Sequence, residues 1–438
     1  MKKYLLFYLV LLTSSCQDDF LAIKPAKSLL VPTTLADFQA LLDDATTMNT
    51  NHSVNWVATD DFVTTDAAWQ GFRTPEERNS YIWTKDIFEG GTSADWNKPY
   101  LQVLNANIVL DGLKTFKGSI NEQQKAREIE GSALFYRAMA FYNLLQKFAV
   151  PYNSVDAGLQ KGIPIRVLSD INSSIGRGTL QESYDQVILD LEMATSRLPA
   201  STNTKTRPAK AAGLALLARV YLTISNYEKA LFYAEECLKL NHTLLDYNLN
   251  SPNVDVAGNA EVIYNCGNSN WSFINSTLSG APADLYALYQ LDDLRRQYYF
   301  IVRPNNIFVY RQMNAQNVGR FSGLATDEVY LTKAECQARL KISNYGLDAL
   351  NELMIKRWRK DEFMPFSADN AETALKLILT ERRKELVNRG TRWTDLRRLN
   401  LDSNFAVTIK RNLKGQEYVL LPNDVLYTYP IPQNEINA

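Results

Sequence analysis

Residues 211–240 read AAGLALLARVYLTISNYEKALFYAEECLKL, and this stretch predicts a helical hairpin. An A helix is expected over residues 211–224, and a B helix over residues 230–240. The turn Ser225-Asn226-Tyr227 joins them. Two helices joined by so short a turn are expected to pack against each other.

The same pattern returns 118 residues later. Residues 327–342 predict a second A helix, Ser343-Asn344-Tyr345 a second turn, and residues 349–357 a second B helix. The small residues Ala230 and Ala349 lie in the two B helices, as in tetratricopeptide repeats, where small side chains let paired helices pack closely. The spacing predicts a helical scaffold with insertions, and the alternative is a chance likeness between two unrelated hairpins.

Further helices are expected upstream of the first hairpin. Apolar residues at helical spacing predict helices over 96–113 and 123–148. Thr179 and Glu182 form a capping-box pattern at the start of a helix that runs to about Arg197. Pro208 suits the first turn of the following helix. The predicted fold is therefore mainly α.

Composition limits the class of protein. Apolar residues make up 46% of the chain, as in globular proteins with a sizeable core. The 47 basic and 48 acidic residues give a net charge of −1, which argues against a nucleic-acid partner. Cys237 and Cys336 are predicted to be buried free thiols, and the absence of a CxxC pair argues against a zinc or redox site.

The first sixteen residues resemble a lipoprotein signal. Lys2 and Lys3 precede an apolar run over residues 4–12, and small residues lead to Cys16. Nine residues cover roughly 13 Å as a helix, far less than a bilayer core of ~30 Å. We expect Cys16 to be acylated, although Thr13 stands where a lipobox usually has Leu. An ordinary cleaved signal with an incidental Cys is the alternative.

Known catalytic motifs are absent from the sequence. His52 and His242 are the only histidines, and there is no HExxH, GxSxG, GxxxxGK[ST] or GxGxxG motif. The chain is therefore not expected to be an enzyme or to need a metal or cofactor. A carboxylate pair for glycoside hydrolysis stays open. Asp60-Asp61 beside Trp69 is the most suggestive cluster, but adjacent acids also suit a solvated turn or a cap.

The densest charged motif is Glu381-Arg382-Arg383-Lys384-Glu385-Leu386, followed by Gly390 and by basic residues over 392–398. Helical spacing places Glu381 and Glu385 on one face, within reach of Arg382 and Arg389. A functional interpretation is an anion-binding arginine cluster. We favour a structural one, in which internal ion pairs pin a helix end that Gly390 caps.

Taken in order, short motifs along nearly the whole chain resemble the SusD/RagB family of Bacteroidetes surface lipoproteins. They include Cys16-Gln17-Asp18-Asp19-Phe20-Leu21, Asp95-Trp96, Ala106-Asn107, Phe135-Tyr136-Arg137-Ala138, Gly162-Ile163-Pro164, Glu182-Ser183-Tyr184-Asp185, Leu198-Pro199, residues 215–222, Asp327-Glu328-Val329-Tyr330-Leu331, the Glu381–Leu386 motif, and Tyr429-Pro430-Ile431-Pro432.

The resemblance implies an α-helical fold of four tetratricopeptide-like hairpins with a loop-rich ligand-binding lobe of insertions. It implies a lipid-anchored protein on the outer face of the outer membrane, with a SusC-like, TonB-dependent transporter as partner. We expect a signal peptide over residues 1–15 and a single domain over 16–438. The scaffold is expected over about 96–240 and 324–400, and the insertions over about 54–95 and 241–323.

Ligand identity does not carry over from the family, whose members bind starch, other glycans or peptides. Sugars present apolar faces that stack on aromatic rings and hydroxyls that need polar partners. Trp83 and Trp96 are assigned to the core. The candidate ligand-binding residues are exposed aromatic and polar residues of the insertions: Trp69, Phe72, Arg73, Asn270, Trp271, Phe273, Asp284, Tyr286, Tyr289 and Arg320.

The sequence thus predicts a non-catalytic, glycan-binding surface lipoprotein. The same scaffold binding peptides is the alternative, and a surface glycoside hydrolase is a weaker one.

Overall fold

Helices in series form the scaffold of the protein. The computed structural model describes residues 32–249, 251, 258–311 and 320–436. The helices in this part of the chain are α1 (Leu35–Leu42), α2 (Ala45–Met48), α3 (Asp66–Gln70), α4 (Pro75–Tyr81), α5 (Ala94–Thr115), α6 (Ile120–Phe148), α7 (Leu180–Arg197), α8 (Lys210–Thr223), α9 (Tyr227–Leu240), α10 (Ala283–Ala287), α11 (Arg295–Tyr299), α12 (Thr326–Leu340), α13 (Leu347–Met354), α14 (Ala371–Glu385), α15 (Arg392–Leu399) and α16 (Gln433–Ile436).

The long helices pack in chain order, so that α5 to α9 form a continuous layered series. Helix α9 then packs against α12, which in turn contacts α13 and α14. The mainly α fold predicted from the sequence is confirmed. None of the helices in the described part of the chain has the length and apolarity that crossing a membrane requires.

Both predicted hairpins are present, as α8–α9 and as α12–α13. Ala230 and Ala349 are buried at the helix–helix contacts, as their small size suggests. The second turn bends tightly at Gly346, which has a φ of +79°. A Cβ atom there would lie 2.1 Å from the carbonyl oxygen of Ala334, so only glycine allows this turn to pack on α12.

Helix starts were predicted with mixed success. Thr179 caps α7, and its side chain and that of Glu182 form the expected capping box. Pro208 does not lie in the first turn of α8, because that helix begins at Lys210 after the cap residue Ala209.

The residues assigned to the core are buried. Trp83 and Trp96 are both inaccessible, and the indole N–H of Trp83 donates to the carbonyl oxygen of Ala58 over 2.9 Å. Cys237 and Cys336 are buried free thiols as predicted, and Cys266 is a third. The predicted signal peptide, Cys16 and the acidic residues after it lie outside the described residues.

Short strands organise the connections. They are β1 (Thr50–Asn51), β2 (Val63–Thr64), β3 (Lys161–Pro164), β4 (Arg177–Thr179), β5 (Val262–Tyr264), β6 (Gly267–Asn268), β7 (Ser279–Gly280), β8 (Phe300–Arg303), β9 (Ile307–Tyr310), β10 (Arg320–Phe321), β11 (Leu324–Ala325), β12 (Ile409–Leu413) and β13 (Gln416–Leu420). Strand β6 pairs in parallel with β1 and antiparallel with β10. The other pairs are antiparallel: β2–β7, β3–β4, β5–β11, β8–β9 and β12–β13.

We call the described residues of 54–95 and 241–323 the lobe. Strand β2 from the first stretch pairs with β7 from the second, with Val63 opposite Gly280. Strand β9 then packs on β7 through a bridge between Ala281 and Phe308. These pairings bring together two stretches that are far apart in sequence.

A buried ion-pair network joins the lobe to the scaffold. Arg295 of α11 binds Asp293 over 2.7 Å, Glu381 over 2.5 Å and Glu385 over 3.0 Å. Glu385 also accepts from Arg357 over 2.7 Å. Burial opposes the charge of Glu385, but Arg357 and Arg295 hold the pKa of this carboxyl below its ordinary value.

The network supports the structural interpretation of the Glu381–Leu386 motif, but the predicted partners were wrong. Arg382 binds Asp395 over 3.0 Å, and Arg389 binds Asp327 over 2.8 Å, so neither pairs with Glu381 or Glu385. The helix ends at Glu385, and Arg389 therefore lies beyond the last turn.

Gly390 does not cap α14 either. Leu386 is the cap residue, and Gly390 instead adopts a φ of +77° at the end of the turn that leads to α15.

The Asp60-Asp61 cluster is not a solvated turn. Arg392 holds both oxygens of Asp60, over 2.8 and 2.7 Å, and Arg383 binds Asp61 over 2.7 Å. Burial disfavours the charge of Asp60, but Arg392 and Arg383 lower its pKa to about 2. These acids tie the lobe to α14 and α15.

We expect Glu385→Ala to lower the stability of the protein by roughly 3–5 kcal/mol, because it leaves two buried guanidinium groups without their shared partner. Urea unfolding followed by circular dichroism measures this change. Glu372→Ala is the matched control, because Glu372 lies on the same helix and its pair with Lys376 is exposed. The control should be nearly neutral. A Glu385→Ala protein that keeps its stability but loses ligand binding would contradict the structural interpretation.

Candidate functional site

The two stretches of the lobe meet at Ser272, which follows Trp271 in a short 3-10 helix. The backbone N–H of Arg73 donates to the hydroxyl of Ser272 over 2.9 Å. The hydroxyl and backbone N–H of Ser272 both donate to Glu77, over 2.7 and 2.5 Å. These bonds bring the predicted residues 69–73 beside the predicted residues 270–273.

Phe273 is the centre of an aromatic core in the lobe. Its ring centroid lies 5.4 Å from that of Phe62, 6.1 Å from Phe72, 6.3 Å from Trp56 and 6.5 Å from Trp271. Phe72, Trp271 and Phe273 were expected to be exposed, and that expectation was wrong, since all three are buried. The rings cover one another's apolar faces, which their polar neighbours in the sequence did not indicate.

Tyr286 and Tyr289 belong to a second aromatic cluster. Tyr289 is fully buried, and its hydroxyl donates to the carbonyl oxygen of Lys384 over 2.8 Å, so its expected exposure was also wrong. Tyr286 is half-buried. It stacks on Phe308 at 4.0 Å, and the guanidinium of Arg296 lies 4.7 Å from its ring centroid. These contacts leave little of Tyr286 for a ligand.

Four of the predicted residues besides Tyr286 keep exposed surface. Arg73, Asn270 and Asp284 are exposed, and Trp69 is half-buried. The indole N–H of Trp69 donates to the carbonyl oxygen of Arg78 over 3.0 Å, and the ammonium of Lys414 lies 5.2 Å from its ring centroid. Asp284 lies on α10, beside Tyr286 rather than beside Trp69.

A groove of about 420 Å³ opens on the lobe, and its volume falls within the usual range for ligand sites. We call it the lobe groove. It is lined by Ile274, Asn275, Ser276, Thr277, Ile301, Val309, Tyr310, Arg311 and Arg320.

Close backbone packing builds this groove. A Cβ atom on Gly280 would lie 2.1 Å from the carbonyl oxygen of Phe308, so glycine allows β9 to approach β7. This close approach places the groove-lining residues of the hairpin β8–β9 opposite the segment 274–277. The amide of Asn275 donates to the side-chain oxygen of Asn270 over 2.5 Å, which connects the groove to the predicted residues at 270–273.

Arg320 is buried at the groove and was predicted as a ligand-binding residue. Its guanidinium donates to the side-chain oxygen of Asn388 over 3.1 Å and to the carbonyl oxygen of Ile274. Burial lowers the pKa of Arg320 to about 10, so the group stays charged at neutral pH.

A second cleft, of about 600 Å³, lies on the scaffold among α5, α6 and α7. Its lining combines apolar residues with charged and polar ones: Leu110, Leu113, Phe116, Leu134 and Met193 on the apolar side, and Lys114, Arg127, Glu130, Arg137 and Gln186 on the polar side. None of the predicted ligand-binding residues lines this scaffold cleft.

A serine–histidine contact exists at the edge of the lobe, between the hydroxyl of Ser269 and Nδ1 of His52. Burial, with Lys147 and Lys98 nearby, lowers the pKa of His52 to about 3, so the imidazole is a weak base at neutral pH. Within the described residues no carboxylate bonds to His52. Nor does any group of three or more His, Cys, Asp or Glu side chains there have the arrangement of a metal site.

Four residues that line the lobe groove were not predicted from the sequence: Asn275, Ser276, Thr277 and Arg311. The available signal was the polar run Asn275-Ser276-Thr277 directly after the aromatic residues 271–273. Arg311 gave no local signal, because only the β8–β9 hairpin brings it opposite that run.

Comparison with known families adds to this geometry. A family model described as "Starch-binding associating with outer membrane" matches residues 19–222. A second model, described as "SusD family", matches residues 326–438. The two matches cover the scaffold helices on both sides of the second lobe stretch, and the first match also includes the first lobe stretch.

Individual relatives agree with these matches. The SusD-like protein P2 of Formosa agariphila is 29% identical over 157 residues, which is 35% of this chain and 28% of that protein's length. A SusD superfamily protein from Bacteroides thetaiotaomicron has the same fold, with a TM-score of 0.75, 22% identity, and 92% of this chain and 98% of the other covered. A SusD-like carbohydrate-binding protein from Bacteroides vulgatus has a TM-score of 0.72 and 19% identity, with 93% and 96% covered. With two family models matching in order and the fold shared across its length, the chain belongs to the SusD/RagB family.

Proposed function

We propose that this protein captures a glycan in the lobe groove and delivers it to a SusC-like, TonB-dependent transporter in the outer membrane. It acts as a binding protein and not as an enzyme, through a single domain that follows the signal peptide. The lobe groove is the observation that carries the proposal. Membership of the family, and the carbohydrate-binding description of the relative from Bacteroides vulgatus, support it.

The chemistry of the groove suits a sugar. Asn275, Ser276 and Thr277 supply an amide and two hydroxyls for sugar hydroxyls. Ile301 and Val309 supply apolar surface for the C–H faces. We place the Trp69 ring on the same binding surface, because the hydrogen bond from Arg73 to Ser272 brings residues 69–73 beside residues 270–275.

Peptide binding is the second candidate, and the scaffold cleft is the observation that favours it. The lining of this cleft combines apolar and charged residues, which suits a peptide because peptide side chains are of both kinds. A surface glycoside hydrolase finds less support, because arginines hold both Asp60 and Asp61 at the most suggestive pair of acids.

A binding screen tests the proposed function. We expect the protein to be retarded in affinity gels that contain one or more bacterial, algal or plant polysaccharides, and not to bind pools of random peptides on an array. The polysaccharide should be recovered without shortened chains, as size-exclusion chromatography would show. Binding to peptides alone would support the second candidate, and release of oligosaccharides would restore the hydrolase.

Tryptophan substitutions test the position of the site. Trp69→Ala should weaken binding to a retained polysaccharide by about tenfold or more, because truncation of a binding hot spot typically costs about 2 kcal/mol or more. It should lower the melting temperature less than Trp271→Ala does, because Trp69 is only half-buried. Trp271→Ala should lower the melting temperature, because the ring is buried against Phe273. Calorimetric titration and thermal unfolding measure the two effects. Unchanged binding in Trp69→Ala would limit the site to the groove itself.

The anchor is tested at Cys16. We propose that the Cys16 thiol is acylated and holds the protein on the cell surface, and mass spectrometry of the mature N-terminus should find the lipid. Cys16→Ser should release the protein from outer-membrane fractions, while Cys266→Ser, which alters a buried thiol, should leave it membrane-bound. An unmodified N-terminus, or resistance to protease on intact cells, would contradict this proposal.

A further inference from the structure

Arg320 differs from most buried arginines of this protein. Seven other arginines with little or no exposed side chain each form an ion pair with a carboxylate: Arg137 with Asp190, Arg219 with Glu328, Arg295 with Glu385, Arg357 with Glu261, Arg382 with Asp395, Arg389 with Asp327 and Arg398 with Glu335. Arg320 is bonded only to an amide oxygen and a backbone carbonyl oxygen, and its Nε is buried without a partner. Its positive charge is therefore not compensated by any acid in the described residues.

Two other buried arginines, Arg397 and Arg411, also lack an acidic partner. Arg397 donates to the carbonyl oxygens of Leu145, Gln146 and Ala149. Arg411 donates to those of Tyr81 and Thr59. Neither arginine lines the lobe groove, so Arg320 is distinguished by its place at an open surface.

Arg311 adds a second uncompensated charge to the same groove. Its side chain is exposed, and its Nε donates to the carbonyl oxygen of Phe300 over 3.0 Å. No ion pair to an acid is formed by Arg311 in the part of the chain that the structure describes. None of the described residues that line the groove is acidic, and residues 312–319 contain no charged side chain in the sequence.

Acids do lie on the inner side of these arginines. A small cavity of about 40 Å³ touches Arg311 and Arg320 and is also lined by Glu261, Asp327 and Glu385. Each of these three carboxylates binds an arginine of the network, Glu261 and Glu385 with Arg357 over 2.7 Å and Asp327 with Arg389 over 2.8 Å. Each of the three is thus bonded to an arginine of the network and none is bonded to Arg311 or Arg320, and the residues that line the lobe groove keep a net positive charge.

An oxyanion would complete this arrangement. A guanidinium that is removed from water without a counter-charge is costly, and a carboxylate or sulfate restores the lost interactions with directed, charge-assisted hydrogen bonds. Arginine suits this role because its planar donors match such groups.

We propose that the lobe groove selects an acidic glycan, whose carboxylate or sulfate group binds Arg320 and Arg311. The inference rests on the proposed capture of a glycan and names its chemical class. The hydroxyl and amide groups of residues 275–277 then bind neutral hydroxyls of the same sugar chain.

Pairs of polysaccharides that differ in charge test whether the protein prefers an acidic glycan. Polygalacturonate is compared with its methyl ester, and dextran sulfate with dextran, in affinity gels that also contain neutral laminarin and starch in separate lanes. We expect retardation by polygalacturonate or dextran sulfate and not by the uncharged partner of that pair, and the pair that responds distinguishes a carboxylate from a sulfate. Binding should weaken between about 50 and about 500 mM NaCl, because salt screens the contact.

Variants of Arg311 and Arg320 test whether these two residues bind the acidic group. Arg311→Gln and Arg320→Gln should each weaken binding to the retained acidic polysaccharide by about tenfold or more, because each variant loses a charge-assisted hydrogen bond to the anionic group. Arg303→Gln removes the same charge from an exposed residue of β8 outside the groove, and should change binding less than about twofold. Arg311 is exposed, so its variant gives a reading even if Arg320→Gln lowers stability.

The possible outcomes separate this inference from the proposed function. Retention by laminarin, starch or dextran with no preference for the charged polymers would overturn the acidic selectivity and leave glycan capture standing. Retention by acidic polymers that Arg311→Gln and Arg320→Gln do not weaken would overturn the assignment to the groove. Binding of poly-glutamate with no retention by any polysaccharide would overturn both proposals, and so would the absence of all binding.

Discussion

The carboxylate of Glu385, buried between Arg295 and Arg357, is the interaction on which the rest of the structure depends. Arg295 comes from the lobe, Arg357 follows α13, and Glu385 ends α14. Taking three charges out of water is unfavourable, and only their mutual contacts and hydrogen bonds offset that penalty. The scaffold end of α14 therefore needs the lobe in place, and the lobe needs the scaffold. A protein whose loops must hold a ligand surface gains from this arrangement, because the ion pairs fix the loops to the scaffold in addition to the aromatic packing around Phe273.

The helices of the scaffold were predictable from the sequence because their signals are local. Apolar spacing, the capping box at Thr179 and the two hairpin turns each occupy a few consecutive residues. The partners of the charged motif were not predictable in this way. Glu385 and Arg357 are 28 residues apart, Glu385 and Arg295 are 90 apart, and Arg357 and Glu261 are 96 apart. Three- and four-residue spacing suggested that Glu381 and Glu385 pair with Arg382 and Arg389. The helix ends at Glu385, however, so Arg389 does not lie on the same helical face.

The same limit applies to the candidate site. Trp271 stands among polar residues in the sequence, and this suggested an exposed ring. In the structure its neighbours are Phe273 and the aromatic residues that Phe273 gathers from the first lobe stretch, some 200 residues away, so no local pattern could reveal the contact. Arg320 was named from the sequence as a partner for hydroxyls. It lies at the lobe groove, and its role there stays a prediction, but the lack of an acidic partner is a property of the three-dimensional surroundings alone.

Asn388 connects the network to the lobe groove. It lies in the turn that follows α14 and adopts a left-handed φ of 65°, a conformation that asparagine tolerates better than most residues. The neighbouring Arg389 turns inward to Asp327, while the side-chain oxygen of Asn388 turns outward to Arg320. An amide at this position orients the guanidinium without neutralising it, whereas an aspartate would supply the counter-charge that the groove lacks. The turn at Asn388 and Arg389 thus lies between arginines of two kinds. Inside, each network arginine is paired with an acid and stabilises the fold, and at the groove Arg320 is positioned by neutral groups, so that its charge stays available to a ligand.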